Sequence, residues 1–261
     1  MKNLNLYFFI IVGLFMYSCD QDPTSPRSST SQSNGNDVSF NNPNGTGTSG
    51  STARFTIAKN HLFIAMEDAL YVYSLEKPDQ PIFQSQQELF GVETIFSLEN
   101  HLYLGTQTGV LIFDITNPNN PNRISTYRHI TSCDPVIVQG NFAYSTLRNS
   151  SDQCRRGINC LDVINIANKS NPTQVARVNL EGPIGLGIHN NNLYVCDNDY
   201  IRQFDVSNPA KPTSIRSTGL PGCFDIIVND DILIAVSNQG IHQYSIAQNG
   251  QLSTLSTILK D

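Results

Sequence analysis

Glu93, Asp134 and Asp225 are the side chains with the clearest capacity for chemistry. Two carboxyl groups held within about 5 to 10 Å of each other can cleave a glycosidic bond. The three come near the starts of apolar runs in different parts of the chain, but no shared motif surrounds them, and a role as solvated loop acids competes with the catalytic one. Six cysteines offer a second kind of chemistry. Cys154 and Cys160 bracket Arg155-Arg156, and proximity makes them the expected disulfide, with Cys133 pairing into the same stretch as the alternative. Zinc needs closely spaced Cys or His ligands, and the histidines, among them His61, His101 and His189, are scattered, so no metal site is predicted. Asp197-Asn198-Asp199 offers too few oxygens by itself for calcium and reads as a turn. Nucleophile-elbow, metalloprotease, phosphate-loop and dinucleotide fingerprints do not occur, so no cofactor is predicted.

The elements that would carry these residues are short strands. Asn, Ser, Thr, Gly and Pro separate brief apolar runs, a pattern suited to strands and tight turns. One segment returns five times with its anchor at Ser74, Asp114, Asn165, Asp205 and Ser245, in steps of 40, 51, 40 and 40 residues. An aromatic residue or Ile precedes each anchor, and Pro81, Pro121, Pro172 and Pro212 follow seven residues after the first four. Ahead of each anchor stands a hairpin signal: Asn60-His61, Asn100-His101, Gly140-Asn141, Asn191-Asn192 and Asp230-Asp231. The runs around these turns supply four strands per repeat, and four strands in about 40 residues make one propeller blade. The expected fold is therefore all-β, a propeller of five four-stranded blades over residues 53–261. A solenoid or two packed sheets is the competing arrangement.

Leu111-Ile112-Phe113-Asp114-Ile115 and the run from Asp205 to Pro209 resemble the LVIVD-repeat family of bacterial and archaeal surface or secreted proteins. That resemblance implies a propeller and a surface location, and brings no catalytic residues. A structural role for the motif needs only that Asp114 and Asp205 cap turn N–H groups. If strands run outward from the axis, one face of the disc collects the irregular features. Cys133 and Cys223 start first strands, Cys196 ends a second strand, and an insertion of about eleven residues between Leu147 and Cys160 carries Arg155 and Arg156, where the longer step of the repeat falls. Those residues mark the expected binding face.

Ahead of the repeats, Lys2 and an apolar run from Leu4 to Met16 read as an export signal, too short to span a membrane comfortably. Ser18 before Cys19 resembles the lipobox of bacterial lipoproteins, which implies cleavage after residue 18 and acylation of Cys19. An ordinary secretory signal is the alternative. From Asp20 to Ser51, 24 of 32 residues are Ser, Thr, Asn, Gly or Pro, so residues 19–52 are expected to form a disordered tether, with Val38-Ser39-Phe40 as a possible extra edge strand. Only 15% of the chain is charged, with 16 Lys and Arg against 22 Asp and Glu, so no polybasic surface exists for nucleic acid. The expected function is a lipid-anchored binding or interaction module of the bacterial cell envelope, an outer-membrane or surface lipoprotein. Its membrane partner is reached through the lipid, and its ligand is a protein or a glycan. A glycosidase-like enzyme using the three carboxylates and a purely structural envelope protein are the alternatives.

Overall fold

The computed structural model describes residues 50–129, 135–149 and 158–260, all within a compact unit spanning residues 42–261. The described residues form five antiparallel sheets of four strands each. Blade 1 comprises β1 (Phe55–Ala58), β2 (His61–Ala65), β3 (Ala69–Ser74) and β4 (Ile82–Glu88). Blade 2 comprises β5 (Val92–Leu98), β6 (His101–Thr106), β7 (Gly109–Asp114) and β8 (Asn122–Arg128). Blade 3 comprises β9 (Val136–Gln139), β10 (Phe142–Leu147), β11 (Cys160–Asn165) and β12 (Thr173–Asn179). Blade 4 comprises β13 (Pro183–His189), β14 (Asn192–Asp197), β15 (Tyr200–Asp205) and β16 (Thr213–Gly219). Blade 5 comprises β17 (Cys223–Asn229), β18 (Ile232–Ser237), β19 (Gly240–Ile246) and β20 (Leu252–Leu259). Each first strand lies beside the next blade's first strand, from β1 to β17, while the fourth strands form the exposed rim. This is the propeller expected from the repeats.

Local chemistry explains why each repeat folds alike. The hairpins between first and second strands turn at residues that accept a left-handed backbone: Lys59, Asn60, Glu99, Gly140, Asn190 and Asp230 all have positive φ. In blades 1, 2 and 4 the turn sits one residue earlier than the sequence suggested, because His61, His101 and Asn192 already belong to second strands. Past each third strand, the anchor side chain turns the backbone. Asp114 Oδ1 accepts from the Thr116 N–H at 2.6 Å, Asn165 Oδ1 from Ala167 at 2.9 Å and Asp205 Oδ1 from Ser207 at 2.8 Å. These hydrogen bonds hold the Asp114 and Asp205 carboxyls below the usual carboxylate range. Asn117, Asn168 and Asn208 repeat the device three residues on, so the Asp-x-x-Asn-Pro pattern is two side-chain-capped turns in succession. A register shift between third and fourth strands recurs in all five blades.

A blade with two apolar faces must be covered on both, and the cores lie between blades. Phe63, Leu70 and Val72 of blade 1 share a cluster with Ile95, Leu104 and Phe113 of blade 2. A second cluster runs through blades 2, 3 and 4, and includes Tyr103, Val138, Tyr144, Leu193 and Phe204. A third joins blades 4 and 5 through Tyr194, Ile201, Ile226, Leu233 and Tyr244. Polar groups cross the same junctions, as where Thr56 Oγ1 meets Ser97 Oγ at 2.8 Å and the Tyr194 hydroxyl donates to the Gly250 carbonyl at 2.7 Å. Burial pushes the Tyr194 phenol up to about 12, so it remains a donor at neutral pH.

Blade 5 leans on blade 4, and two glycines permit the close approach. A Cβ on Gly185 would lie 2.5 Å from the Asp225 Cα, and one on Gly187 would lie 2.6 Å from the Ile226 side chain. Among the described residues no apolar cluster joins blade 5 to blade 1. Instead Phe55 and Ile57 on blade 1 are 59% and 62% exposed, and Ile258 on blade 5 is 63% exposed. The ring is an arc with a seam between its last blade and its first.

Replacing Phe63 by Ala removes a wholly buried ring between blades 1 and 2. It should cost about 3–5 kcal/mol in urea unfolding, whereas Phe90→Ala, at a side chain 90% exposed, should leave the midpoint nearly unchanged.

Candidate functional site

One face of the arc gathers the loops that enter first strands and the turns that leave second strands. The Asn198 N–H donates to the Gly182 carbonyl at 3.3 Å, and the Asn238 N–H donates to that of Gly222 at 3.1 Å, so blades 4 and 5 close this face in the same way. A depression of about 510 Å³ opens there, where blades 3, 4 and 5 meet. Arg148 walls it from blade 3, Asn198 and Asp199 from blade 4, and Cys223, Phe224 and Asn238 from blade 5. Phe224 is 38% exposed. A cationic fork, two amides and an aromatic ring thus share one cleft.

Buried electrostatics hold the walls. Asp197, fully buried, accepts from the Glu181 and Gly182 N–H groups at 2.9 and 2.6 Å and receives Arg202 Nε at 2.5 Å. Arg202 also reaches Glu181 at 3.0 Å. The Asp197-Asn198-Asp199 stretch is therefore a turn whose first carboxylate serves structure. On blade 3 the neck of the insertion is clamped where Asn159 Oδ1 accepts from the Asn149 N–H at 2.8 Å.

Cys196 at the end of β14 is disulfide-bonded to Cys223 at the start of β17, with Cα atoms 5.4 Å apart across the blade 4–5 junction. Sequence placed both cysteines on one face without pairing them. Cys160 is buried, its Sγ 3.8 Å from Asp162 Oδ1, and Cys154, its expected partner, lies outside the described residues. Asp162 in turn makes a bidentate pair with Arg177, both contacts at 2.6 Å, and accepts from the Tyr127 hydroxyl at 3.2 Å. Cys19, Cys133, Asp134, Cys154, Arg155 and Arg156 lie outside the described residues, as do the lipobox and most of the expected tether.

Asp225, expected as a catalytic or a solvated loop acid, is engaged otherwise. It is buried, and its Oδ1 accepts from the Ser51 hydroxyl at 3.2 Å, the Thr52 N–H at 3.4 Å and its neighbour Ile226 N–H at 2.9 Å. Burial outweighs these donors and raises the carboxyl above its usual range. Ser51 also accepts from the Leu186 N–H at 2.8 Å, so the segment ahead of β1 is latched to the first strands of blades 4 and 5. A Cβ on Gly50 would lie 2.4 Å from an Asp225 oxygen, so a side chain there would displace the carboxylate. Gly50, Ser51 and Thr52, at the end of the expected tether, belong to the folded body. Glu93 sits half-buried near the start of β5. Sequence reasoning missed the latch, and it missed Arg148, Asn198, Phe224 and Asn238 as cleft residues. A Gly followed 16 residues later by Asn, at 182 and 198 and again at 222 and 238, was a signal that could have located both asparagines.

The LVIVD repeat model matches residues 93–129, 157–180 and 186–218. These stretches are similar to LVIVD repeats. They cover most of blades 2 and 4 and the outer half of blade 3, the part of the arc whose two faces are both buried. Comparison of the sequence with curated proteins finds no match. Among solved structures, the chain is similar to the periplasmic gluconolactonase of Pseudomonas aeruginosa at a TM-score of 0.62 and 13% identity, covering 77% of this chain and 67% of that one. A functionally unknown protein from Desulfotomaculum acetoxidans gives a TM-score of 0.64 at 11% identity, with 79% and 69% covered. The nidogen/laminin complex gives 0.56 at 14% identity, with 79% and 78% covered. At these identities the likeness is one of fold.

The disulfide closes a 27-residue separation beside the cleft. Replacing Cys196 and Cys223 together by Ala should lower stability by about 2–4 kcal/mol in guanidinium unfolding, and an unchanged midpoint would show that the bond staples nothing.

Proposed function

We propose that the LVIVD-repeat propeller is a binding module of the bacterial cell envelope, held to a membrane by lipid on Cys19, with a glycan as its ligand. The cleft between blades 3, 4 and 5 is the observation that carries the reading. Its volume of about 510 Å³ falls in the range of small-ligand sites, and its lining combines features that suit a sugar. Phe224 offers a ring face for C–H surfaces, Asn198 and Asn238 offer paired donors and acceptors, and Arg148 can fork onto a carboxylate or vicinal hydroxyls. With Asp225 spent on the latch, the triad of Glu93, Asp134 and Asp225 is left without one of its members, which favours binding over hydrolysis.

A glycan array followed by calorimetry on the best ligand tests this directly. Phe224→Ala and Asn198→Ala should each weaken binding about tenfold or more, consistent with losing one stacked or hydrogen-bonded contact worth about 1.4 kcal/mol. Cys19→Ala should release the protein from the membrane fraction without changing that affinity. A protein that binds no glycan, or variants that bind as well as the parent, would remove the cleft from consideration.

A further inference from the structure

The two flanks of the seam are made from the positions that elsewhere hold blades together. Second and third strands start in the same register in every blade, with His61 opposite Ser74, His101 opposite Asp114, Phe142 opposite Asn165, Asn192 opposite Asp205 and Ile232 opposite Ser245. In that register Leu62 and Ile64 of blade 1 match Leu102 and Leu104, Leu193 and Val195, and Leu233 and Ala235. Those pairs are buried in the cores that face the preceding blade. Ile234 and Val236 of blade 5 match Phe63 and Ala65 of blade 1 and Tyr194 and Cys196 of blade 4, which are buried toward the following blade. Blade 1 thus has a blade-contact face with no preceding blade packed on it, and blade 5 has one with no following blade.

Both faces carry apolar rows, with Glu88 at one edge of blade 1's face and the latched Asp225, Gln243 and Ser256 interrupting blade 5's. On blade 1, cross-strand partners place Phe55, Ile64 and Tyr71 in one row and Ile57, Leu62 and Tyr73 in the next. Phe83 extends the second row, its ring edge-on to Tyr73 at 5.8 Å. On blade 5, Ile227 pairs with Ile234, and Val236, Ile241 and Ile258 form a row. Phe55, Ile57, Phe83, Ile241 and Ile258 are each at least 39% exposed. Four strands about 4.8 Å apart, each presenting about six residues at 3.3 Å, make a face of about 380 Å². Two such faces give about 760 Å² per molecule, close to the roughly 800 Å² that each partner contributes to a standard stable interface.

The formed junctions also say what fits. A face toward the following blade always packs on a face toward the preceding one, and among the described residues blade 1 carries the one face of the latter kind that stays uncovered. We infer that the seam is occupied by a second copy of this chain, blade 5 of each copy packing on blade 1 of the other. The reciprocal contact uses both faces of both copies, so it closes at two rather than propagating. The partner is set by the repeat itself: its face has the same strand spacing and matching apolar second-strand positions, with Gln243 standing where Val72, Ile112 and Val163 lie in blades 1, 2 and 3.

Sedimentation velocity on the full chain tests the pairing, with Ile57→Glu and Ile241→Lys as variants at exposed positions, where folding is checked by circular dichroism. The parent should sediment as a dimer. Each variant alone should sediment as a monomer, because both of its contacts with an identical partner meet a buried charge. An equimolar mixture of the two variants should recover the dimer, since one junction is then parental and the other carries an introduced carboxylate and an introduced ammonium on facing blades. Phe55→Glu with Ile258→Lys repeats the design should either first variant fail to fold. A parent that stays monomeric at all concentrations overturns the proposal, as does a dimer insensitive to both variants or a mixture that fails to recover association. None of these outcomes depends on whether the cleft binds a glycan.

Discussion

Everything in this fold depends on the need to cover both faces of each four-stranded sheet. A single sheet with apolar side chains above and below is not stable in water; it becomes stable when sandwiched, and repeating the sheet supplies the covers. Blades 2, 3 and 4 meet the requirement on both sides, and their second strands are buried almost throughout. Blades 1 and 5 meet it on one side, and their second strands alternate between buried and partly exposed residues. The same constraint that builds the arc therefore marks its ends.

The axis of the arc is held by contacts of a different kind. Gly185 and Gly187 let β17 come close to β13, and Asp225 then sits where Ser51 and Thr52 can reach it. The Ala53 carbonyl accepts from the Ile95 N–H at 2.9 Å, so the lead-in segment passes from the latch at blades 4 and 5 to blade 2 before entering β1. One short stretch of chain thus connects the ends of the arc near its centre, and the Cys196–Cys223 bond fixes blade 5 to blade 4 on the face where the cleft opens. The cleft owes its shape to this close packing of the last two blades.

Much of the architecture is legible in the amino-acid order because it is local. The anchors at Asp114, Asn165 and Asp205 bond to N–H groups two residues away, and such chemistry repeats visibly at a fixed spacing. Hairpin turns sit one residue earlier in three blades because Lys59, Glu99 and Asn190, each followed by Asn, take up the left-handed backbone. Long-range partners left no such trace. Cys196 and Cys223 are no closer in sequence than other cysteine pairs, and only the approach of β17 to β13 brings their blades together. Ser51 reads as one more tether serine, yet it lies 174 residues from the carboxylate that holds it. Whether the ring closes was equally hidden, since the repeats begin and end in phase.

The open seam is most directly tested by a distance between spin labels at positions 57 and 241, in labelled chain diluted into excess unlabelled protein so that only pairs within one molecule are read. Faces packed as neighbouring blades would hold the two backbones about 10 Å apart. An open arc predicts a distance well beyond that, unchanged between dilute and concentrated protein; a distance near 10 Å at both concentrations would mean that blade 5 closes on blade 1 of its own chain.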